Sequence, residues 1–317
     1  MAQTQLLKIL NIDFMGWRRP AVIASTVIML LFIGSMVARG FNFGLDFTGG
    51  TVLEVGYEQP TELAPIRQIL DDNGFEKAIV QHFGSRRDVV IRLPLRAEGE
   101  GGASAEVSDQ VFRELSMASD GKVELRRAEF VGPQVGEELR EDGGLAMLFA
   151  LIGILIYVAV RFEWRFAVGA VIATIHDVIF TIGVFSALQI EFNLAVLAAV
   201  LAVIGYSVND TVVIFDRVRE NFRKIRKGTV IEIVNRSINE TLSRTIITGG
   251  TTLLVVLALF IFGGEVLSGF SLALIIGIII GTYSSIYVAT AAVVWLGISK
   301  ADLIPPPKEG ASADMRP

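Results

Sequence analysis

The sequence predicts an α-helical membrane protein: six transmembrane helices, with one α+β ferredoxin-like domain inserted between helices 1 and 2. Three observations carry that reading. Hydrophobic residues make up 52% of the 317 positions and are gathered into six long runs. A hydrocarbon core about 30 Å thick takes about 20 mostly apolar residues of helix, which the runs approach or exceed. The polar residues are gathered as well: residues 40–143 carry 20 acidic and 11 basic side chains, so this insert is net −9 while the rest of the chain is +4. Finally, Lys and Arg crowd into alternate short connections, which is the charge bias of a multi-pass protein. Such a composition excludes a disordered or fibrous chain, and neither part carries the basic face that nucleic acid requires. With no cysteine, there is no disulfide framework, thiolate metal site or cysteine nucleophile.

The elements follow in order. Residues 1–20 form an N-terminal segment with Lys8, Arg18 and Arg19 before the first span, 21–38. That span exceeds the ~7 to 15 apolar residues of a signal peptide, and Arg39 stands where a small cleavage-site residue belongs, so it reads as an uncleaved anchor. After the insert come spans at 145–160, which is short unless Gly143 and Gly144 join it, 167–188 and 192–215, a loop at 216–243, spans at 245–262 and 270–296, and a tail at 297–317. Arg161 and Arg165 lie between the second and third spans. The 216–243 loop holds Arg217, Arg219, Arg223, Lys224, Arg226, Lys227 and Arg236, whereas the connections on the other side carry only Glu191 and Glu265. Both termini are therefore expected in the cytoplasm and the insert outside.

Within the insert, 51–57 reads as a strand and 61–72 as a helix stopped by Asn73-Gly74. Strands at 77–83 and 88–93 turn around Gly84 and Ser85, a polar glycine-rich loop at 98–102 precedes a helix at 103–117, and 122–131 closes as a strand. Strand, helix, strand, strand, helix, strand is the split pattern of ferredoxin-like folds, which by itself assigns no chemistry. His82 stands alone there and reads as a structural or surface residue.

The informative positions are ionisable residues inside the spans, because a charge at a helix centre costs about 2.5 kcal/mol or more and takes a partner, cavity or pathway. His176 and Asp177 fall about ten residues into the third span, ~15 Å deep at 1.5 Å per residue; their plainer use is hydrogen bonding that fixes helix packing. In the fourth span Ser207, Asp210 and Thr211 share a helix face, with Asn209 beside them. Arg244 stands at the cytoplasmic entrance of the fifth span, before Thr245, Thr248, Gly249, Gly250, Thr251 and Thr252. Alone it is a snorkelling anchor; at matching depth it is the nearest permanent cation to Asp210. Asp216 and Arg217 read as a solvated surface pair. Burial disfavours the charged carboxylate and a guanidinium favours it, while arginine stays charged throughout. Varying the separation of Asp210 and Arg244 would thus bind and release a proton, with a driving force of about 2.3 kcal/mol per 100 mV of membrane potential.

Signatures of other chemistries are absent from the sequence: there is no GxxxxGK[ST] phosphate loop, HExxH zinc helix or GxSxG serine elbow. No metal or organic cofactor is expected, only protons as the coupling ion. Gly277 and Gly281 form a GxxxG, a mark of close helix packing. The Asn-x-Ser/Thr triplets at Asn209, Asn235 and Asn239 fall in the membrane or inside and are accidental as glycosylation signals.

Several stretches resemble the SecF branch of the bacterial SecD/SecF family. They are Asp13-Phe14-Met15-Gly16-Trp17-Arg18-Arg19, Gly44-Leu45-Asp46-Phe47-Thr48-Gly49-Gly50, Ile175-His176-Asp177-Val178, Ile204-Gly205-Tyr206-Ser207-Val208-Asn209-Asp210 with Arg217-Val218-Arg219-Glu220-Asn221, and Thr241-Leu242-Ser243-Arg244-Thr245 with Thr248-Gly249-Gly250-Thr251-Thr252. The resemblance covers nearly the whole chain. It implies a proton-driven transporter of the resistance-nodulation-division type in the bacterial inner membrane, not an enzyme. Residues 40–143 would be periplasmic, drawing unfolded secreted chains outward after SecA has begun translocation. The implied partners are SecD, the SecY-SecE-SecG channel and membrane lipid. The implied proton-pathway residues are Asp210 and Arg244, then Asp177 and His176. Such transporters pair two six-span halves, of which this chain supplies one. Asp46, Thr48, Gly49 and Gly50 serve either as a tight turn or as a hinge that lets the outer domain tilt. Two other readings stand beside this one: a half-transporter for a small molecule or lipid, and a docking subunit in which Asp210 and Arg244 form a fixed salt bridge.

Overall fold

A computed structural model describes residues 11–76, 78–94, 104–225 and 227–299. Lys8, the 98–102 loop, Arg226 and the tail beyond Ser299 lie outside them. Among the described residues, six helices are long and apolar enough to cross a membrane. The first, α1 (Arg18–Arg39), ends at Gly40, whose φ of 66° stops the helix. Next come β1 (Asn42–Phe43) and a one-turn helix α2 (Leu45–Thr48), then the insert: β2 (Gly50–Tyr57), α3 (Leu63–Asp72), β3 (Ile79–Phe83), β4 (Ser85–Leu93), α4 (Ser104–Ala118) and β5 (Val123–Val131). The sheet order is β3-β4-β2-β5 with every pairing antiparallel. β4 thus lies between β2 and β3, the expected split arrangement. Leu53, Val55, Val89 and Ile91 of the central strands pack beneath Ile66, Leu70, Val111 and Leu115 of the two helices, all nearly inaccessible.

The remaining helices are α5 (Pro133–Arg161), α6 (Trp164–Leu188), α7 (Leu194–Lys224), α8 (Val230–Phe262) and α9 (Gly264–Ser284), which passes through a π-helical turn at Ser285–Ala289 into α10 (Thr290–Trp295). Residues 191–192 form a short strand, β6. Three boundaries differ from expectation. α5 starts twelve residues before 145, because Pro133 is preset for a first helical turn. Its polar turns, with Glu137, Glu138, Glu141 and Asp142 exposed, extend beyond the apolar stretch. Nor do Gly143 and Gly144 interrupt it; a Cβ at Gly143 would lie 2.6 Å from Leu197. The 216–243 loop is mostly helix as well, because α7 continues to Lys224 and α8 starts under a Thr229/Glu232 capping box. At 1.5 Å per residue, α8 is about 50 Å long and so outreaches the apolar core by several turns.

In these extensions, Asp216 pairs with Arg161 at 2.9 Å and Arg217 with Glu220 and Glu240, rather than with each other as expected. Asn235 and Asn239 have a structural use: their amides grip the Ile12 backbone and the Met15 N–H over 2.8–3.1 Å. Met15 and Phe14 are thereby buried in the core between the helices. Spans α6, α7 and α9–α10 form the interior of the bundle, while α1, α5 and α8 line its outside.

Candidate functional site

Asp177 of α6 is fully buried. Its Oδ1 lies 3.0 Å from His176 Nδ1, and its Oδ2 accepts hydrogen bonds from Ser207 of α7 and from Ser284 of α9 at 2.7 Å. Three helices therefore converge on one carboxylate. Close packing makes this possible: Gly277 lies against Val203, and Gly281 against Ser207, so the GxxxG of the sixth span brings α9 onto α7. His176 is only 5% exposed, stacks near Phe180 and Tyr283, and its Nε2 has no hydrogen-bond partner among the described residues.

A second carboxylate stands one helical turn along α7 from Ser207. Asp210 Oδ1 accepts a 2.7 Å hydrogen bond from Thr245 of α8, while its Oδ2 is buried and has no hydrogen-bond partner among the described residues. Beside it, Thr211 and Ser285 share a 2.8 Å hydrogen bond. Arg244 is exposed at the bundle surface; its charge acts on Asp210, but among the described residues the two form no ion pair within 4.0 Å. The expected face of Ser207, Asp210 and Thr211 is present, whereas Asn209 points out of the bundle.

The structure thus joins His176 to Asp177 and brings Arg244 near Asp210. Asp46, Thr48, Gly49 and Gly50 lie elsewhere, where the insert meets the membrane helices. Two contributors escaped the sequence reading, neighbours in the chain at the start of the π-helical turn: Ser284, which donates to Asp177, and Ser285, which shares a hydrogen bond with Thr211 beside Asp210. Such turns recur at functional sites. The available signal was the polar run Thr282-Tyr283-Ser284-Ser285 within an otherwise apolar span.

Chemically, the site offers two buried carboxylates with very different partners. Asp177 has both oxygens engaged, and Asp210 has one oxygen free. The match of known protein families to this chain is decisive on which lineage built the site. The model described as protein export membrane protein SecD/SecF, C-terminal, covers residues 111–299, and the SecD/SecF GG motif covers residues 34–61. The chain belongs to the SecD/SecF family. All four carboxylate-site residues fall in the first match, and Asp46 to Gly50 fall in the second. The protein translocase subunit SecF of Vibrio alginolyticus is 52% identical over 97% of both chains, and that of Pseudomonas aeruginosa is 50% identical over 98% of this chain and 99% of its own. Among solved structures, SecDF of Thermus thermophilus, a translocon-associated membrane protein, is 39% identical with a TM-score of 0.79 over 91% of this chain. The chain spans 39% of that SecDF chain. The protein is accordingly a multi-pass bacterial membrane protein of Sec-associated protein export.

Proposed function

We propose that the chain works with SecD as one half of a proton-driven device that promotes late steps of protein export across the inner membrane. Both termini would be cytoplasmic and residues 40–143 periplasmic, beside the SecY-SecE-SecG channel and downstream of SecA, acting on the unfolded polypeptide. Protons pass by way of Asp210, with Arg244 setting its charge state and Asp177 with His176 as a second station. The observation that carries this is the free Oδ2 of Asp210, buried and unpaired while Arg244 stands beyond ion-pair distance. A fixed salt bridge, the contact a purely docking subunit would use, is not made there.

Pairing with a second six-span half is supported by the outer face of α7. Ala198, Ala202, Gly205 and Asn209 lie exposed at helical spacing, and Thr248 and Thr251 of α8 are exposed nearby in sequence to Arg244. Small and polar residues facing outward suit another helix better than lipid tails. The SecDF fusion, in which this chain matches only part, fits that arrangement. A small-molecule or lipid exporter would draw instead on a groove of about 400 Å³ between α1, α6 and α10, lined by Val22, Met29, Ile175, His176 and Trp295.

The test is completion of export of a precursor arrested midway, in inverted membrane vesicles, with and without an imposed proton gradient. Vesicles with the natural chain complete export only under the gradient; an Asp210→Asn chain, assembled with its partner, does not respond. An assembled Asp210→Asn chain that exports as well as the natural one sinks the proton role of this residue.

A further inference from the structure

The stretch from Phe41 to Gly50 is held at several points where it meets the membrane helices. β1 pairs in parallel with β6, the connection that leads into α7, and Gly44 N–H donates to the Phe192 carbonyl at 2.9 Å. Asp46 Oδ2 accepts a 2.8 Å hydrogen bond from the backbone N–H of Leu194, the first residue of α7. Phe43 and Phe47 pack against Phe192 with ring centroids 6.3 and 6.0 Å apart. On the far side, Gly136 of α5 is so close that a Cβ would lie 3.1 Å from the Phe47 and Gly49 backbone. Gly50, at φ +129°, leaves no room for a side chain: a Cβ would sit 2.4 Å from the Leu93 carbonyl. The glycine pair is therefore wedged, not open.

The insert itself reaches the same place. Arg92 of β4 points from the sheet face not covered by α3 and α4 and forms an ion pair with Glu191 of β6, each side chain about a quarter exposed or less. Sheet, linker and α7 thus meet at residues 191–194. The geometry points to a rigid joint: Arg92, Glu191 and Asp46 make the insert domain follow the N-terminal end of α7. That helix also carries Ser207 and Asp210, about 20 and 24 Å along the same continuous rod. A shift of α7 at the carboxylates then arrives at the insert directly through the Arg92–Glu191 and Asp46–Leu194 contacts. The inference rests on the proton-coupled reading only for what moves α7.

The experiment uses the full chain with SecD in vesicles, as Arg92→Glu, Glu191→Arg and the double exchange. The chain has no native cysteine, so Ile79→Cys on exposed β3 and Val37→Cys on α1, both well exposed, accept spin labels without background. With the joint broken, Arg92→Glu or Glu191→Arg should broaden the label-to-label distance distribution at rest. Each should also reduce export under a gradient to the level without one, and the double exchange should restore both readouts. An unchanged distribution in the single variants overturns the joint, as does a double exchange that recovers neither readout. If the natural chain ignores the gradient, the proton reading fails instead, and the resting label distribution still decides whether the joint exists.

Discussion

Replacing Gly277 by alanine tests whether the contact between α7 and α9 holds the Asp177 site together. The added Cβ would stand 2.1 Å from Val203 Cγ2, 2.6 Å from its Cγ1 and 2.9 Å from its Cβ. Ordinary carbon contacts begin at about 3.5 Å, so the helices must part by about 1.4 Å. Turning the Val203 side chain gives no relief, because its own Cβ is already too close. Overpacking of this kind costs about 1–3 kcal/mol, and the upper part of that range applies where backbone has to move. Alanine recovers up to about 1 kcal/mol through its higher helix propensity. The net expectation is a loss of about 2 kcal/mol. The displacement also falls one turn along α7 from Ser207 and two turns along α9 from Ser284, whose hydrogen bonds share Asp177 Oδ2. Gly205, where a Cβ meets nothing within 4 Å, is the control, since alanine there should not destabilise the isolated chain. The assay is denaturant unfolding of the reconstituted protein for Gly277→Ala, Val203→Ala and the pair. Trimming Val203 makes room for the new methyl, so the pair should cost less than the sum by about 0.5–3 kcal/mol. A neutral Gly277→Ala, or strict additivity, would refute the packing argument.

Two further outcomes are expected. Asn235→Ala with Asn239→Ala removes four hydrogen bonds to the 12–15 backbone, each worth about 0.5–1.5 kcal/mol; limited proteolysis should then cut near Ile12, and unchanged resistance would show that Phe14 and Met15 hold the segment unaided. Burial pushes the Tyr57 phenol from 10.0 up to about 12. Because the folded value is the higher, the stability this phenol contributes is complete below pH 10 and declines as pH rises through about 12; Tyr57→Phe should flatten the fall in unfolding midpoint over that window, and an identical fall in the variant assigns it to other groups.

Much of the architecture was legible in the sequence for a simple reason: lipid and a two-layer core each impose a period. Apolar runs of about 20 residues mark spans whatever they pack against, and alternation in 51–57 marks a strand buried on one face. The insert's strand order followed from element order. What stayed hidden depends on contacts between distant segments. Nothing local in Asn42-Phe43 signals pairing with Glu191-Phe192, and strands of two residues leave no period to detect. The helical course of 216–243 was obscured because its charges read as loop, although they pair at helical spacing, as Arg217 with Glu220 and Arg236 with Glu240 do. At the site, Asp177 and Asp210 stood out as charges in apolar runs, but Ser284 did not, since a hydroxyl costs little in a span until its partner is known.

The contrast between the two carboxylates bears on how such a site can work alone or in a pair. Asp177 is closed within this chain: histidine and two serines engage both of its oxygens, and none of them is exposed. Asp210 is half open, with one threonine, a free oxygen and an arginine held at a distance. A buried oxygen without a hydrogen bond costs about 1–3 kcal/mol, so it is stable only if something repays the loss. Proton binding does so by removing the charge, and approach of Arg244 or of a polar group from a second half does so by completing the shell. A hydrogen-bond donor such as the Arg244 guanidinium competes with the proton for that oxygen, so donor approach and proton release are linked by thermodynamics. A half-complete shell at Asp210 is therefore what the proposed coupling residue would need, whereas the filled shell at Asp177 ties α6, α7 and α9 together at one carboxylate.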